Sequence, residues 1–189
     1  MFSIDSSKPS ATSLSGAAGT NIITWSWSAP SRICEGPGLP AVLYRLYDGQ
    51  TATLIQGSIA AGPVNETAVG ANVSRFRRIT SSDTWGESPL SAAVTAYTLA
   101  YQPASLALTS MSTGGVVVSW SDNTNAAYTR YEVTDSPDNF AATTATRTAV
   151  TDNFTGVGTL SRNLTGLAAG TTYYLRVRAF NGQASDFSG

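Results

Sequence analysis

GVVVSWSDN, residues 115–123, alternates its side chains: Val116, Val118 and Trp120 share one parity, Val117 and Ser119 the other. A strand sends successive side chains to opposite faces, so the stretch is predicted to be a half-buried strand with its tryptophan inward. NIITWSWSAP, residues 21–30, repeats the pattern with Ile23, Trp25 and Trp27 on one parity. Trp27 and Trp120 stand 93 residues apart; upstream, Lys8-Pro9-Ser10 and Gln102-Pro103-Ala104 stand 94 apart. Downstream, VLYRLYDG (residues 42–49) matches TRYEVTDS (residues 129–136). Recurrence at a fixed spacing marks one structural unit present twice.

Within each copy, short strand-like runs are broken by Gly, Asn, Asp, Pro and Ser clusters, and sustained helical periodicity is absent. That pattern predicts an all-β chain built of antiparallel sandwiches. In the second copy, strands are expected near 104–110, 115–121, 129–135, 141–149, 157–165 and 172–180. In the last of these, Tyr173, Leu175, Val177 and Ala179 face one way, and Tyr174, Arg176 and Arg178 the other. The Ala-rich residues 91–96, interspersed with Val and Thr, are read as strand.

The second copy resembles a fibronectin type III domain. It has a proline at its entry, the strand-B tryptophan Trp120, Tyr131-Glu132-Val133 as strand C, and Leu167-Ala168-Ala169-Gly170-Thr171-Thr172-Tyr173. The last motif is similar to the family's tyrosine corner, in which the tyrosine hydroxyl bonds a backbone group upstream. The first copy is similar through Trp27, Tyr44-Arg45-Leu46-Tyr47 and Gly86-Glu87-Ser88-Pro89, the last like the family's F–G loop. It departs at Val73, which stands where the corner tyrosine belongs, and in residues 72–80, where Arg75 and Arg77 share the parity of Val73 and Ile79. A bulge in that strand is expected to restore the phase.

The resemblance implies two immunoglobulin-like (fibronectin type III) antiparallel β-sandwiches in tandem. Residues 1–7 are read as the end of a preceding repeat or an N-terminal extension, 8–99 as the first domain, 100–103 as a linker and 104–189 as the second domain. Strand G of the first domain falls in 92–99; the second reaches residue 189 where strand G is due, so its last strand is expected to be missing. An uncovered strand F leaves backbone groups unpaired, so the strand is expected from further repeats of the same chain or, by strand exchange, from neighbouring copies.

Composition narrows the function. Only 12% of the 189 residues are charged and the net charge is −1, which gives no field to gather nucleic acid. Histidine is absent, removing the commonest general base and metal ligand, and the lone cysteine, Cys34, has no internal disulfide partner. No apolar run is long enough to insert in a membrane, and any leader or anchor is expected outside this segment. No cofactor, metal site or nucleophile–base pair is expected, and no turnover.

Trp25, Trp27 and Trp120 share the parity of the core valines and, with Tyr173, are read as structural rather than as a sugar-stacking platform. Trp85, in the F–G turn of the first unit, admits two readings: a contact residue, or packing at the domain edge. Cys34, in a Gly/Pro-rich insertion between strands B and C, is read as a tolerated free thiol, with interchain contact as the alternative. Arg176 and Arg178 are read as a solvated sheet face, and residues 135–139 as a turn rather than a calcium loop. Asn65, Asn72, Asn153 and Asn163 fit the glycan-acceptor pattern.

The resemblance implies a non-catalytic structural or spacer role in an extracellular surface, fibre or secreted multidomain protein of bacterial type. One alternative is a glycan- or protein-binding adhesion module that uses the loops of the first domain. Another is an accessory segment of a secreted polysaccharide-degrading enzyme.

Overall fold

The computed structural model describes residues 12–30, 41–142, 145–146, 159–180 and 187–188. The chain separates into two compact units, one of residues 1–68 and 74–96, the other of residues 69–73 and 97–189. Every described regular element is a strand. Among the described residues no helix is long and apolar enough to cross a membrane.

The first unit contains β1 (Leu14–Ala18), β2 (Ile22–Trp27), β3 (Leu43–Asp48), β4 (Leu54–Ile59), β5 (Val64–Thr67), β6 (Ser74–Asp83), β7 (Gly86–Glu87) and β8 (Val94–Tyr97). One sheet runs β1-β2-β5; the other runs β4-β3-β6-β7, with β8 also on β6. Ile23 and Trp25 from β2, Tyr44 and Leu46 from β3, Ile79 from β6 and Ala96 from β8 are buried. Their period-two spacing on each strand builds the apolar layer.

From Arg77 to Ser82, β6 carries no bulge. The β3–β6 ladder runs without a shift from Leu43↔Ser82 to Asp48↔Arg77, so Arg77 stays on the inward parity of Ile79 and is buried. Charge pairing, not a change of register, resolves the conflict with the apolar pattern.

The second unit contains β9 (Ala104–Ser112), β10 (Gly115–Ser121), β11 (Arg130–Ser136), β12 (Ala145–Thr146), β13 (Thr159–Thr165), β14 (Tyr174–Phe180) and β15 (Phe187–Ser188). Its sheets run β13-β10-β9 and β12-β11-β14-β15. Val116, Val118, Trp120, Tyr131, Val133, Leu160, Leu164 and Ala179 form its core, joined by Ala100. The last strand, expected to be missing, is present as a two-residue stub, with Phe187 opposite Phe180 and Ser188 opposite Ala179.

The residues read as a linker are bonded into this unit. The Tyr101 amide donates to Asn125 Oδ1 at 2.7 Å, Asn125 Nδ2 returns a bond to the Tyr101 carbonyl at 2.8 Å, and Asn123 Nδ2 donates to the Gln102 carbonyl at 2.9 Å. The loop of residues 69–73 belongs here too. Its Asn72 amide donates to the Leu99 carbonyl and its Val73 carbonyl accepts from the Thr98 amide.

Candidate functional site

Trp25 is fully buried, and its Nε1 donates to Glu66 Oε2 at 3.2 Å. Glu66 also receives Arg75 Nε at 2.8 Å and Arg77 Nη2 at 2.6 Å, and Arg77 Nη1 reaches Asp48 Oδ2 at 3.1 Å. Antiparallel pairing makes this cluster: β5 lies on β2, which carries Trp25, while β6 lies on β3, which ends at Asp48. Burial alone raises the Glu66 pKa, but hydrogen bonds and charge from Arg77, with the bonds from Trp25 and Arg75, outweigh it and hold the carboxyl below the usual range.

Trp27 is half-buried, its ring tilted on Tyr44 with centroids 5.2 Å apart. Gly62 lies so close that an added Cβ would stand 3.0 Å from that ring. Trp120 is buried, tilted on Tyr131 at 5.9 Å. Burial pushes the Tyr131 hydroxyl up to about 12. Tyr173 is half-buried, and its hydroxyl accepts the Ala168 amide at 3.2 Å across a turn bounded by Gly166 and Gly170, both left-handed. Cys34 and Asn153 lie outside the described residues, as do residues 1–7.

The turn after β6 holds Trp85 half-buried, its amide donating to Asp83 Oδ1 at 2.8 Å. Thr84 and Gly86, on either side of it, line a groove of about 440 Å³ together with Leu43, Arg45 and Glu87. Sequence reading passed over Glu87 as a ligand, yet it accepts from Arg45, from Thr80 Oγ1 and from Tyr47 Oη, the last at 2.8 Å. Desolvation raises its pKa, and the bonds from Thr80, Tyr47 and Arg45 more than reverse it. A carboxylate held ionised by three donors is a poor general acid.

The outward arginines of β14 are tied down. Arg178 Nη2 meets Glu132 at 2.7 Å, Arg176 Nε donates to Thr134 Oγ1 at 3.2 Å, and the Arg176 guanidinium lies 3.9 Å over the Phe140 ring. Residues 135–139 form a self-bonded turn, in which Ser136 Oγ accepts the Phe140 amide at 2.9 Å. Among the described residues no three His, Cys, Asp or Glu side chains gather as metal ligands. Of the acceptor-pattern asparagines, Asn65 and Asn163 are exposed. Asn72 is buried, with Nδ2 donating to Thr129 Oγ1 at 2.7 Å and the Phe180 carbonyl at 3.3 Å, so it cannot carry a glycan in the folded unit.

The chain matches the two fibronectin type III domain segment from chicken tenascin with a TM-score of 0.53 at 11% identity, covering 97% of this chain and 95% of that one. It also matches the FN1-FN3 domains of chicken CNTN1 at 16% identity and a TM-score of 0.40, covering 97% of this chain and spanning 62% of that chain's length. No curated protein matches it in sequence. The sheets, their antiparallel order and the tenascin likeness make the fold that of fibronectin type III domains, and residues 101–188 match the fibronectin type III domain family, a common structural or adhesion module.

Proposed function

We propose that the chain is a non-catalytic spacer, two fibronectin type III-like sandwiches in tandem within an extracellular surface, fibre or secreted multidomain protein. The observation that carries the reading is where the chemistry-bearing side chains are spent. Trp25 and Trp120 lie inside their units, and the Glu66 and Glu87 carboxylates are each engaged by arginine. Groups so committed hold strands in place rather than standing ready as a catalytic pair. Antiparallel ladders in both units supply the mechanical element, because load along paired strands has to shear several hydrogen bonds together.

Stretching single molecules tests the role. The expected record shows two unfolding steps of similar contour length, and purified protein shows no turnover of ester, peptide or glycoside substrates. Hydrolysis lost on changing one carboxylate overturns the reading, as does extension without resistance.

One observation favours a second reading, adhesion through the first unit: the groove beside Trp85, with Leu43 and Arg45 both partly exposed to it. A glycan array decides. Binding that Arg45→Ala abolishes, with folding intact, makes this the function, and an empty array leaves the spacer.

A further inference from the structure

Across an antiparallel ladder, paired residues project to the same face. In the first unit Leu46 and Ile79 are paired and buried, so the pairs on either side of them, Arg45↔Thr80 and Tyr47↔Arg78, project to the outer face. Leu43↔Ser82 and Ser82↔Glu87 extend that face into the groove of about 440 Å³. Arg45 and Arg78 stand diagonally across two neighbouring strands, a spacing that lets two such long side chains reach one small group.

What each polar group on this face still has to offer decides what it can hold. Glu87 Oε1 accepts from Tyr47 Oη and Thr80 Oγ1, and Glu87 Oε2 accepts from Arg45 Nη1. Both carboxylate oxygens and both hydroxyl protons are therefore engaged. Ser82 Oγ donates to the Leu43 carbonyl at 3.4 Å, and Asp83, beyond Ser82 at the turn, accepts the Trp85 amide. Guanidinium donors are in excess. Among the described residues Arg45 engages only Nη1, and its side chain is 39% exposed. Arg78 has no acid beside it there, and its Nε is buried without a hydrogen-bond partner. A buried N–H left unmet is costly, so Arg78 gains when an acceptor reaches it. Glu87 balances Arg45, which leaves the charge of Arg78 uncompensated on this face.

We propose that this face binds an acidic saccharide of the uronate kind, its carboxylate held by Arg78 and Arg45 and its ring seated in the groove. The inference deepens the adhesion reading and rests on it. Arg78 is partly exposed, so a turn of its flexible stem presents Nε–H and Nη–H together as a fork that matches a carboxylate. Charge sets the anion. One uncompensated guanidinium suits one carboxylate rather than a sulfated polyanion, and a neutral sugar leaves the fork unused. Topology sets a sugar over an acidic peptide. β3 lies between β4 and β6, and β6 between β3 and the strands β7 and β8, so the face offers no open backbone edge for an extended peptide to join. What it offers is a cleft in the size range of small-ligand sites, with Leu43, 38% exposed, as an apolar wall for a ring face.

The test titrates the 189-residue chain with trigalacturonate, its neutral counterpart galactotriose, a heparin oligosaccharide and triglutamate, following amide chemical shifts. Trigalacturonate is expected to bind about tenfold or more tightly than each of the others, and more weakly as salt rises. Shifts are expected at residues 43–47 and 78–87. Arg78→Gln is expected to abolish the preference for the acidic sugar with the melting temperature unchanged. Arg78→Lys, which keeps the charge but loses the fork, is expected to restore only part of it. Binding that Arg78→Gln leaves intact overturns the site, as do shifts confined to the second unit, a result that needs no variant. Galactotriose bound as tightly as trigalacturonate overturns the acidic ligand and leaves the adhesion reading standing. Triglutamate bound as tightly overturns the saccharide, and heparin bound as tightly overturns the single carboxylate. If no saccharide binds, the adhesion reading falls with the inference, so the two failures are told apart.

Discussion

Arg77 is a charged side chain at a position where the alternation of β6 calls for an apolar one, and Glu66 makes that tolerable. It sits between Arg75, Arg77 and the Trp25 ring nitrogen, so removing its charge leaves a buried guanidinium with Asp48 as its remaining acid. Glu66→Gln is therefore expected to destabilise the first unit by about 2–3 kcal/mol at neutral pH, read by chemical denaturation. The sign with pH follows from the lowered pKa. Stabilisation by the Glu66 charge is complete above the ordinary glutamate pKa and is lost as pH falls through the depressed folded value. The gap between the original protein and Glu66→Gln should close in that acid window; a gap constant with pH rules out the ion cluster as its source. At Trp120 the argument is volume. The buried ring on Tyr131 leaves a large hole when cut back, and Trp120→Ala is expected to lower the stability of the second unit by about 3–5 kcal/mol. An unshifted melting temperature removes Trp120 from the core.

Among the elements, β1 and β8 of the first unit meet at a contact with no slack. An added Cβ at Gly16 would stand 2.8 Å from both Ala96 Cβ and Trp25 Cζ3, and each of those atoms is itself packed. Gly16→Val is expected to push the two strands apart and destabilise the unit by about 1–3 kcal/mol, with faster amide exchange in β8. Double replacement with Ala96→Gly should recover part of the loss. These elements also show what the sequence holds and what it hides. Strand positions were legible because period-two alternation and Gly, Asn and Asp breaks are local: β10 spans the residues expected, β9, β11 and β14 differ only at their ends, β13 follows the expected run from Thr159 onward, and most of the strand expected at 141–149 lies outside the described residues. The path of β6 was not, because the partners of Arg77 lie eleven residues away at Glu66 and twenty-nine away at Asp48, brought in by ladders that no local pattern reports. Glu87 escaped for the same reason, with Arg45 and Tyr47 forty or more residues upstream. Arg176 and Arg178 do lie on the solvent face as read, but their contacts with Phe140 and Glu132, from other elements, are invisible to a local pattern.

For the whole molecule, order along the chain and membership of a folded unit come apart at residues 69–73. They fall between β5 and β6 of the first unit but pack within the second. Asn72 is the residue that fixes them: its left-handed backbone turns the chain, its amide bonds the Leu99 carbonyl, and its side-chain amide bonds Thr129 Oγ1 and the Phe180 carbonyl. Its carbonyl accepts from the Tyr128 hydroxyl. Thr129 stands just before β11 and Phe180 ends β14, so one side chain ties together the ends of two core strands. Asn72→Ala removes both side-chain bonds and leaves the Phe180 carbonyl and the Thr129 hydroxyl short of a donor in a buried place, which costs about 2 kcal/mol. It also places a β-carbon residue without asparagine's tolerance at positive φ, adding strain of the same sign. The loss should appear where the bonds are made. Amide exchange is expected to quicken across β11 and β14, with β2 and β3 of the first unit unchanged. Quickening confined to β2 and β3 instead shows that residues 69–73 act with the strands that flank them in sequence, and the assignment of that loop to the second unit falls.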